Sequence, residues 1–316
     1  MTTTPTGGDA GDGLGAGLEP DPADPSPDLP GTSAFVDAGA VRLHARVAGP
    51  VDGPLVVLLH GFPEFWYGWH RLLDPLADAG YRVVAPDGRG YNRSAKPDGV
   101  PPYRMDALGG DVLGVLDALD RESARVVGHD WGAAVGWWLA LERPDRVDRL
   151  AALNVPHLAA FEAALRSSPE QLLRSWYVAA FQVPVLPEAI SRLGNYRAMT
   201  RGLVDSSRPG TFSEADLDRY RRAWDRPGAL TGMVNWYRAV ARYGSRTDRE
   251  RVAPETLVLW GARDRFLTRS LADDSLAFCE NGRLRVLEDA THWLHHEVPG
   301  VVADELLGFL DGRAGA

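Results

Sequence analysis

A chain of 316 residues with 45% hydrophobic composition can bury a large core, either as one big domain or as a core with an inserted subdomain. Its single cysteine, Cys279, excludes an intramolecular disulfide and suits a reducing compartment. The net charge of −9 gathers at one end: residues 1–33 hold Asp9, Asp12, Glu19, Asp21, Asp24 and Asp28 with no Lys or Arg, which leaves only −3 for the remainder.

That first stretch, rich in Gly, Pro and Thr, is expected to be a disordered acidic tail, because it has too little apolar surface to order itself. It lacks the basic and apolar regions of a signal peptide, and no later run approaches the roughly 20 apolar residues of a membrane span. The expectation is a cytoplasmic protein with no membrane partner. Lys96 is the only lysine among 34 basic residues, a sign of codon bias. The arginines are scattered without a basic stripe, so no nucleic-acid partner is expected.

From residue 34 the chain alternates β-rich runs with helical patterns, as a mostly parallel sheet covered by helices does. "VRLHARVAG" (41–49) alternates like an early edge strand, and "LVVLLHG" (55–61) is a nearly continuous apolar run, as in a strand buried on both faces. "YRVVAPD" (81–87) and "RVVGHD" (125–130) repeat that pattern, with amphipathic helices over 66–79 and 106–119 between the strands. A helix is predicted over 131–142, ended by Pro144, and then a strand over "VDRLAALNVP" (147–156). Residues 157–253 show helical periodicity and many aromatic residues, without a convincing strand. Alternation resumes at "TLVLWGARD" (256–264), followed by "LRVLEDATHW" (284–293) and a closing helix near 300–311. The organisation predicted is an α/β core over 34–156 and 254–316, interrupted by a helical lid over 157–253.

In "GHDWG" (128–132) a strand ends and a helix begins at once. Such a turn strains its central residue and needs small neighbours, here Gly128 and Gly132. It presents Asp130 at the carboxyl edge of the sheet, beside a helix N-terminus that favours negative charge. A plain helix cap would not need glycines on both sides, so Asp130 is the candidate nucleophile. Its partners should follow in the order acid, then histidine. Asp264 falls in a loop after one core strand and His292 after the next. His292 can take a proton from water while Asp264 orients the imidazole. Asp289 is too close in sequence to His292 to be the preferred orienter, and His295 and His296 are expected on a helix surface. "HGFPEFW" (60–66) offers the backbone N–H of Phe62 to an oxyanion, with that of Trp131 as second donor. His60 and Pro63 are read as shaping this loop, and Phe62–Pro63 is a candidate cis bond.

Taken together, "HGFPEFW", "GHDWG", "LNVP", "GARD" and "HW" resemble the epoxide hydrolases of the α/β-hydrolase fold, relatives of the haloalkane and haloacetate dehalogenases, over about residues 34–312. The resemblance implies an eight-stranded, mostly parallel sheet flanked by helices. It also implies that Tyr177, in "LLRSWYVAAFQVPVLPE", and Tyr237, in "MVNWYRAV", reach from the lid over the nucleophile. Opening a three-membered ring expels an alkoxide, which needs a proton donor such as a phenol. A halide needs none. Haloalkane dehalogenases usually carry Asn where this chain has Phe62, and haloacetate dehalogenases place Arg where it has Trp131, although a Trp there also serves halide in the former. Some relatives carry the acid at the position of Asn154, so Asp264 keeps that role here.

Arg89 and Arg93 are read as loop-stabilising, and Trp66, Trp69, Phe181 and Trp236 as lining the pocket. No metal-ligand spacing or phosphate-binding glycine loop is present, so neither metal nor cofactor is expected. The reading is epoxide hydrolysis through an ester on Asp130. Its rivals are a haloalkane or haloacid dehalogenase using the same nucleophile and a non-catalytic ligand-binding protein on this fold. A homodimer is left open.

Overall fold

The computed structural model describes residues 13–312. Among these residues nine strands form one sheet in the order β1-β2-β3-β5-β4-β6-β7-β8-β9. They are β1 (Leu18–Pro20), β2 (Thr32–Asp37), β3 (Arg42–Ala48), β4 (Leu55–Leu59), β5 (Arg82–Pro86), β6 (Ala124–His129), β7 (Val147–Leu153), β8 (Glu255–Gly261) and β9 (Gly282–Leu287). From β5 to β9 every pairing is parallel, and β1, β2 and β3 continue the sheet antiparallel. All five residues of β4 and all five of β5 are buried, which explains the unbroken apolar sequence of β4; the one charged residue of β5, Arg82, donates to the carbonyls of Gly49 and Leu14.

Helices α1 (His70–Asp78), α2 (Met105–Ala118) and α3 (Trp131–Glu142) make the first crossovers. Helix α3 packs on β6 and β7, and α1 packs on β5. Between β7 and β8 the chain inserts α4 (Leu158–Ser167), α5 (Pro169–Arg174), α6 (Trp176–Ala180), α7 (Leu186–Ser206), α8 (Glu214–Trp224) and α9 (Ala229–Tyr243). The fold closes with α10 (Ser270–Leu276), α11 (Leu294–Glu297) and α12 (Pro299–Leu310). The insertion is pinned to the core by polar atoms on buried aromatic rings. Trp224 Nε1 donates to the Pro63 carbonyl at 2.6 Å, Tyr220 Oη to Glu64 at 2.7 Å, and Trp236 Nε1 to the Arg89 carbonyl at 3.0 Å.

Two expectations are corrected. The sheet has nine strands rather than eight, and the added strand lies inside the stretch expected to be a disordered tail. Leu14 and Leu18 are buried there, and β1 pairs with β2 from Leu18↔Val36 to Pro20↔Ala34. The acids of this stretch meet cations of the core. Asp21 binds Arg93 and accepts from Ser33 Oγ at 2.7 Å. Asp24 pairs at 2.5 Å with Arg46, whose side chain is fully buried and also donates to the carbonyls of Pro30, Ser26 and Leu29. Specific ion pairs and a sheet edge supply the order that composition alone did not suggest. Asp9 and Asp12 lie outside the described residues.

Candidate active site

Strand β6 ends at His129 and α3 begins at Trp131, so Asp130 alone makes the turn, with φ 49° and ψ −125°. Such a conformation costs a non-glycine residue on the order of 1–3 kcal/mol and persists only where packing enforces it. Glycines permit that packing. A Cβ on Gly132 would lie 2.0 Å from the Leu59 carbonyl oxygen, and one on Gly61 would lie 2.2 Å from Asp130 Cβ.

The three polar residues expected to act together converge. His292 Nδ1 donates to Asp264 Oδ2 at 2.7 Å, and His292 Nε2 stands 3.6 Å from Asp130 Oδ2. Asp264 is held by three further donors: the N–H groups of Phe266 (2.7 Å) and Leu267 (3.0 Å) on Oδ1, and Asn154 Nδ2 (2.6 Å) on Oδ2. Burial pushes the His292 imidazole down, but the carboxylates of Asp264 and Asp130 outweigh it and hold the group up at about 10. Burial would raise the Asp130 carboxyl, yet His292, His129 and the Phe62 N–H hold it below the ordinary carboxylate range. At rest the site is therefore an imidazolium between two carboxylates.

Phe62 N–H donates to Asp130 Oδ1 at 2.7 Å, and the Phe62–Pro63 peptide is cis. Trp131, the first residue of α3, has an N–H with no carbonyl one turn behind it to receive it. Of the two N–H groups expected to face an oxyanion, that of Phe62 contacts the Asp130 carboxylate, and that of Trp131 belongs to the next residue in the chain.

A cavity of about 760 Å³ opens onto Asp130 and His292 and is lined also by Tyr177, Tyr237, Phe181 and Phe62. The Tyr237 ring makes edge contacts with Phe62, Trp131 and Phe181 at centroid distances of 5.3, 4.9 and 4.9 Å, and lies 6.0 Å from Tyr177. Burial, and then the charge of Asp130, push both phenols above their ordinary range, so each is a neutral donor.

Three tryptophans expected in the pocket wall are not there. Trp66 is buried with its ring beneath the Arg46 guanidinium, 4.8 Å from centroid to Cζ. Trp69 packs against His295. Trp236 stands behind Trp131, with ring centroids 5.9 Å apart. Their rings turn into the core. Phe181 alone of that set lines the cavity.

His295 and His296 are also corrected: both are buried. They and His129 surround Glu64, with His296 Nε2 at 2.6 Å, His129 Nδ1 at 3.1 Å and His295 Nε2 at 3.2 Å from its carboxylate. Burial would raise Glu64, but these histidines hold it well below its usual range. His129 Nε2 donates to the His292 carbonyl at 2.9 Å. The cluster therefore ties the Glu64 loop, the end of β6 and the His292 loop together. Glu64, His129 and His295 are also the one group among the described residues whose ligand atoms, within 4.8 Å of one another, could hold a metal; these atoms already contact one another within the protein. Glu64 and His129 fall inside "HGFPEFW" and "GHDWG", but they lie 65 positions apart, so only the fold shows that they meet.

Arg89 pairs with buried Asp111, Arg93 with Asp21, and Asp289 with Arg263 at the surface, all structural roles. Residues 54–299 match the family model described as the alpha/beta hydrolase fold. The chain is 47% identical to the AB hydrolase superfamily protein YfhM of Bacillus subtilis over 88% of this chain and 98% of that protein. It is 35% identical to epoxide hydrolase A of Mycobacterium tuberculosis over 89% and 98% of the two chains. The crystal structure of an epoxide hydrolase from Bacillus megaterium superposes with a TM-score of 0.80 at 29% identity, covering 88% of this chain and 99% of that one. The chain belongs to the α/β-hydrolase fold family, on the branch that holds these epoxide hydrolases.

Proposed function

We propose that this protein hydrolyses epoxides to vicinal diols through an ester formed on Asp130. The observation that carries the reading is the sharing of one cavity by Asp130, His292 and the two phenols of Tyr177 and Tyr237. In the first step Asp130 Oδ2 attacks a ring carbon, the C–O bond of the epoxide breaks, and the departing oxygen takes a proton from a phenol. Asp130 then carries a hydroxyalkyl ester.

Ester formation changes the electrostatics in the direction the second step needs. Asp130 loses its negative charge, which had helped to hold His292 protonated and both phenols high. The phenols become better donors as the alkoxide develops. His292 releases its proton, which solvent can carry to the phenolate. Neutral His292, oriented by Asp264, then takes a proton from water as that water attacks Cγ of Asp130. The carbonyl oxygen, Oδ1, already accepts from Phe62 N–H and becomes the oxyanion, with Trp131 N–H as second donor. The ester C–O bond breaks, His292 returns a proton to the leaving oxygen, and the diol departs.

In this reading the helices inserted between β7 and β8 act as a lid that carries the proton donors. A dehalogenase would form the same ester without using them. Assaying alkyl and aryl epoxides beside haloalkanes and fluoroacetate separates the two. Epoxide turnover should fall by about 100- to 10,000-fold in the Tyr177→Phe/Tyr237→Phe variant, the usual contribution of a positioned proton donor. Turnover of haloalkanes but not epoxides by the unmodified protein, or an unaffected double variant, would replace this reading with the dehalogenase one.

A further inference from the structure

Among the described residues twelve large hydrophobic side chains are exposed, and nine of them lie between Leu172 and Val204 in the insertion. Leu173, Val185, Trp176 and Leu193 are 74%, 73%, 69% and 67% exposed. So dense an exposed apolar patch marks an interaction surface on a soluble protein. Its location is informative too, because Leu173, Trp176, Leu186 and Ile190 also line the cavity. The patch is a collar around the cavity's mouth.

The charge of the same stretch runs against that of the chain. The protein carries −9 overall, yet residues 172–204 contain a single acid, Glu188, which is buried and paired with Arg238 at 2.7 Å. Arg192, Arg197 and Arg201 are exposed in this stretch with no exposed acid among them. Helix α7 turns at Gly194, Asn195 and Tyr196, all left-handed, so Arg192 and Arg197 stand on either side of the turn that carries Leu193.

We infer that this collar docks on an anionic lipid surface, with Leu172, Val185 and Leu193 entering the interface and Arg192, Arg197 and Arg201 meeting the head groups. Apolar side chains beside arginines are the composition that holds proteins at such interfaces. A second copy of the chain fits less well. A two-fold pairing of this face would bring the three arginines of each copy against only two exposed acids at its edge, Asp205 and Glu170, the latter already paired with Arg174, and like charges across an interface oppose association. Docking revises the expectation of no membrane partner, which rested on the lack of a spanning segment; no helix among the described residues is long and apolar enough to cross a membrane. Resting on the epoxide reading, the consequence is that apolar epoxides dissolved in lipid reach Asp130 through the collar without crossing water.

Flotation of the protein with vesicles tests the docking without any epoxide present. The protein should float with vesicles of phosphatidylcholine and phosphatidylglycerol in equal parts, bind vesicles of phosphatidylcholine alone far less, and be released as salt rises. Each arginine near an anionic surface contributes roughly fivefold, so Arg192→Gln/Arg197→Gln/Arg201→Gln should weaken partitioning on the order of 100-fold. Leu172→Ser/Val185→Ser/Leu193→Ser should also release the protein. None of these six side chains lines the cavity, so both variants should keep the parent's melting temperature and its turnover of a water-soluble epoxide. Failure of the parent to float, or flotation that survives either set of substitutions, overturns the inference. So does sedimentation showing a dimer that the serine variant dissociates, since the collar would then belong to a second copy.

Discussion

Replacing Asn154 with alanine should destabilise the protein strongly and slow one chemical step selectively. Asn154 is fully buried and left-handed, with φ 50°. Its Nδ2 donates to Asp264 Oδ2 at 2.6 Å, and its Oδ1 accepts from Gly261 N–H at 2.8 Å. Loss of a hydrogen bond to a charged group costs about 1.5–3 kcal/mol, and a buried N–H left without an acceptor costs about 1–3 kcal/mol. Alanine tolerates the left-handed conformation less well than asparagine, by about 1 kcal/mol. The total is about 3.5–7 kcal/mol, or on the order of 10 °C in melting temperature for a chain of this size. Asn154→Gly isolates the backbone contribution and should recover about 1 kcal/mol of the loss. Asp264 keeps its bonds from Phe266 and Leu267, so it remains in place but orients His292 less firmly. Single-turnover kinetics should then show ester hydrolysis slowed about tenfold or more, with ester formation within a few-fold of the parent. A loss below about 1 kcal/mol in chemical denaturation would refute the hydrogen-bond reasoning. Slowing confined to ester formation would refute the role given to Asp264.

Three further outcomes are expected. His292→Gln should accumulate the ester, visible as added mass on the intact protein. Because the folded-state imidazole is raised to about 10 from an ordinary 6.5, its charge contributes stability that is fully present below about 6.5 and lost as pH rises through about 10; denaturation midpoints of parent and variant should converge over that window, and a gap that widens instead would contradict the pairing. Asp24→Ala should cost about 1–3 kcal/mol by leaving the buried Arg46 guanidinium without its counter-charge, whereas a disordered N-terminal stretch would give no change in chemical denaturation.

The central strands and the elbow were legible because their constraints are local. A continuous apolar run marks β4 and the apolar stretch after Arg82 marks β5, and small residues on both sides are needed where a strand turns at once into a helix. Strand β1 was not legible: it has three residues, one of them proline, and the segment Glu19 to Asp24 is held by arginines that lie 22 to 72 positions away. The expected order nucleophile, acid, histidine singled out Asp264 and His292 as candidates, whereas the bond from Asn154 to Asp264 depends on β7 and β8 being neighbours in the sheet. His295 and His296 sit on a helix of four residues, too short for periodicity to say which way they face. Trp66 and Trp236 show the opposite limit, since adjacency in sequence to a site residue, such as Tyr237 beside Trp236, does not decide where a ring points.

The central claim is that Asp130, and not water, attacks the substrate. A single turnover of enzyme in excess, run in water enriched in heavy oxygen and followed by peptide mass analysis and analysis of the diol, tests it directly. The account predicts heavy oxygen in the Asp130 carboxylate and a diol whose new oxygen is unlabelled, because the diol takes its oxygen from the enzyme and water replaces it. Heavy oxygen found wholly in the diol, with none in Asp130, would mean that water attacks the epoxide itself and would contradict the account.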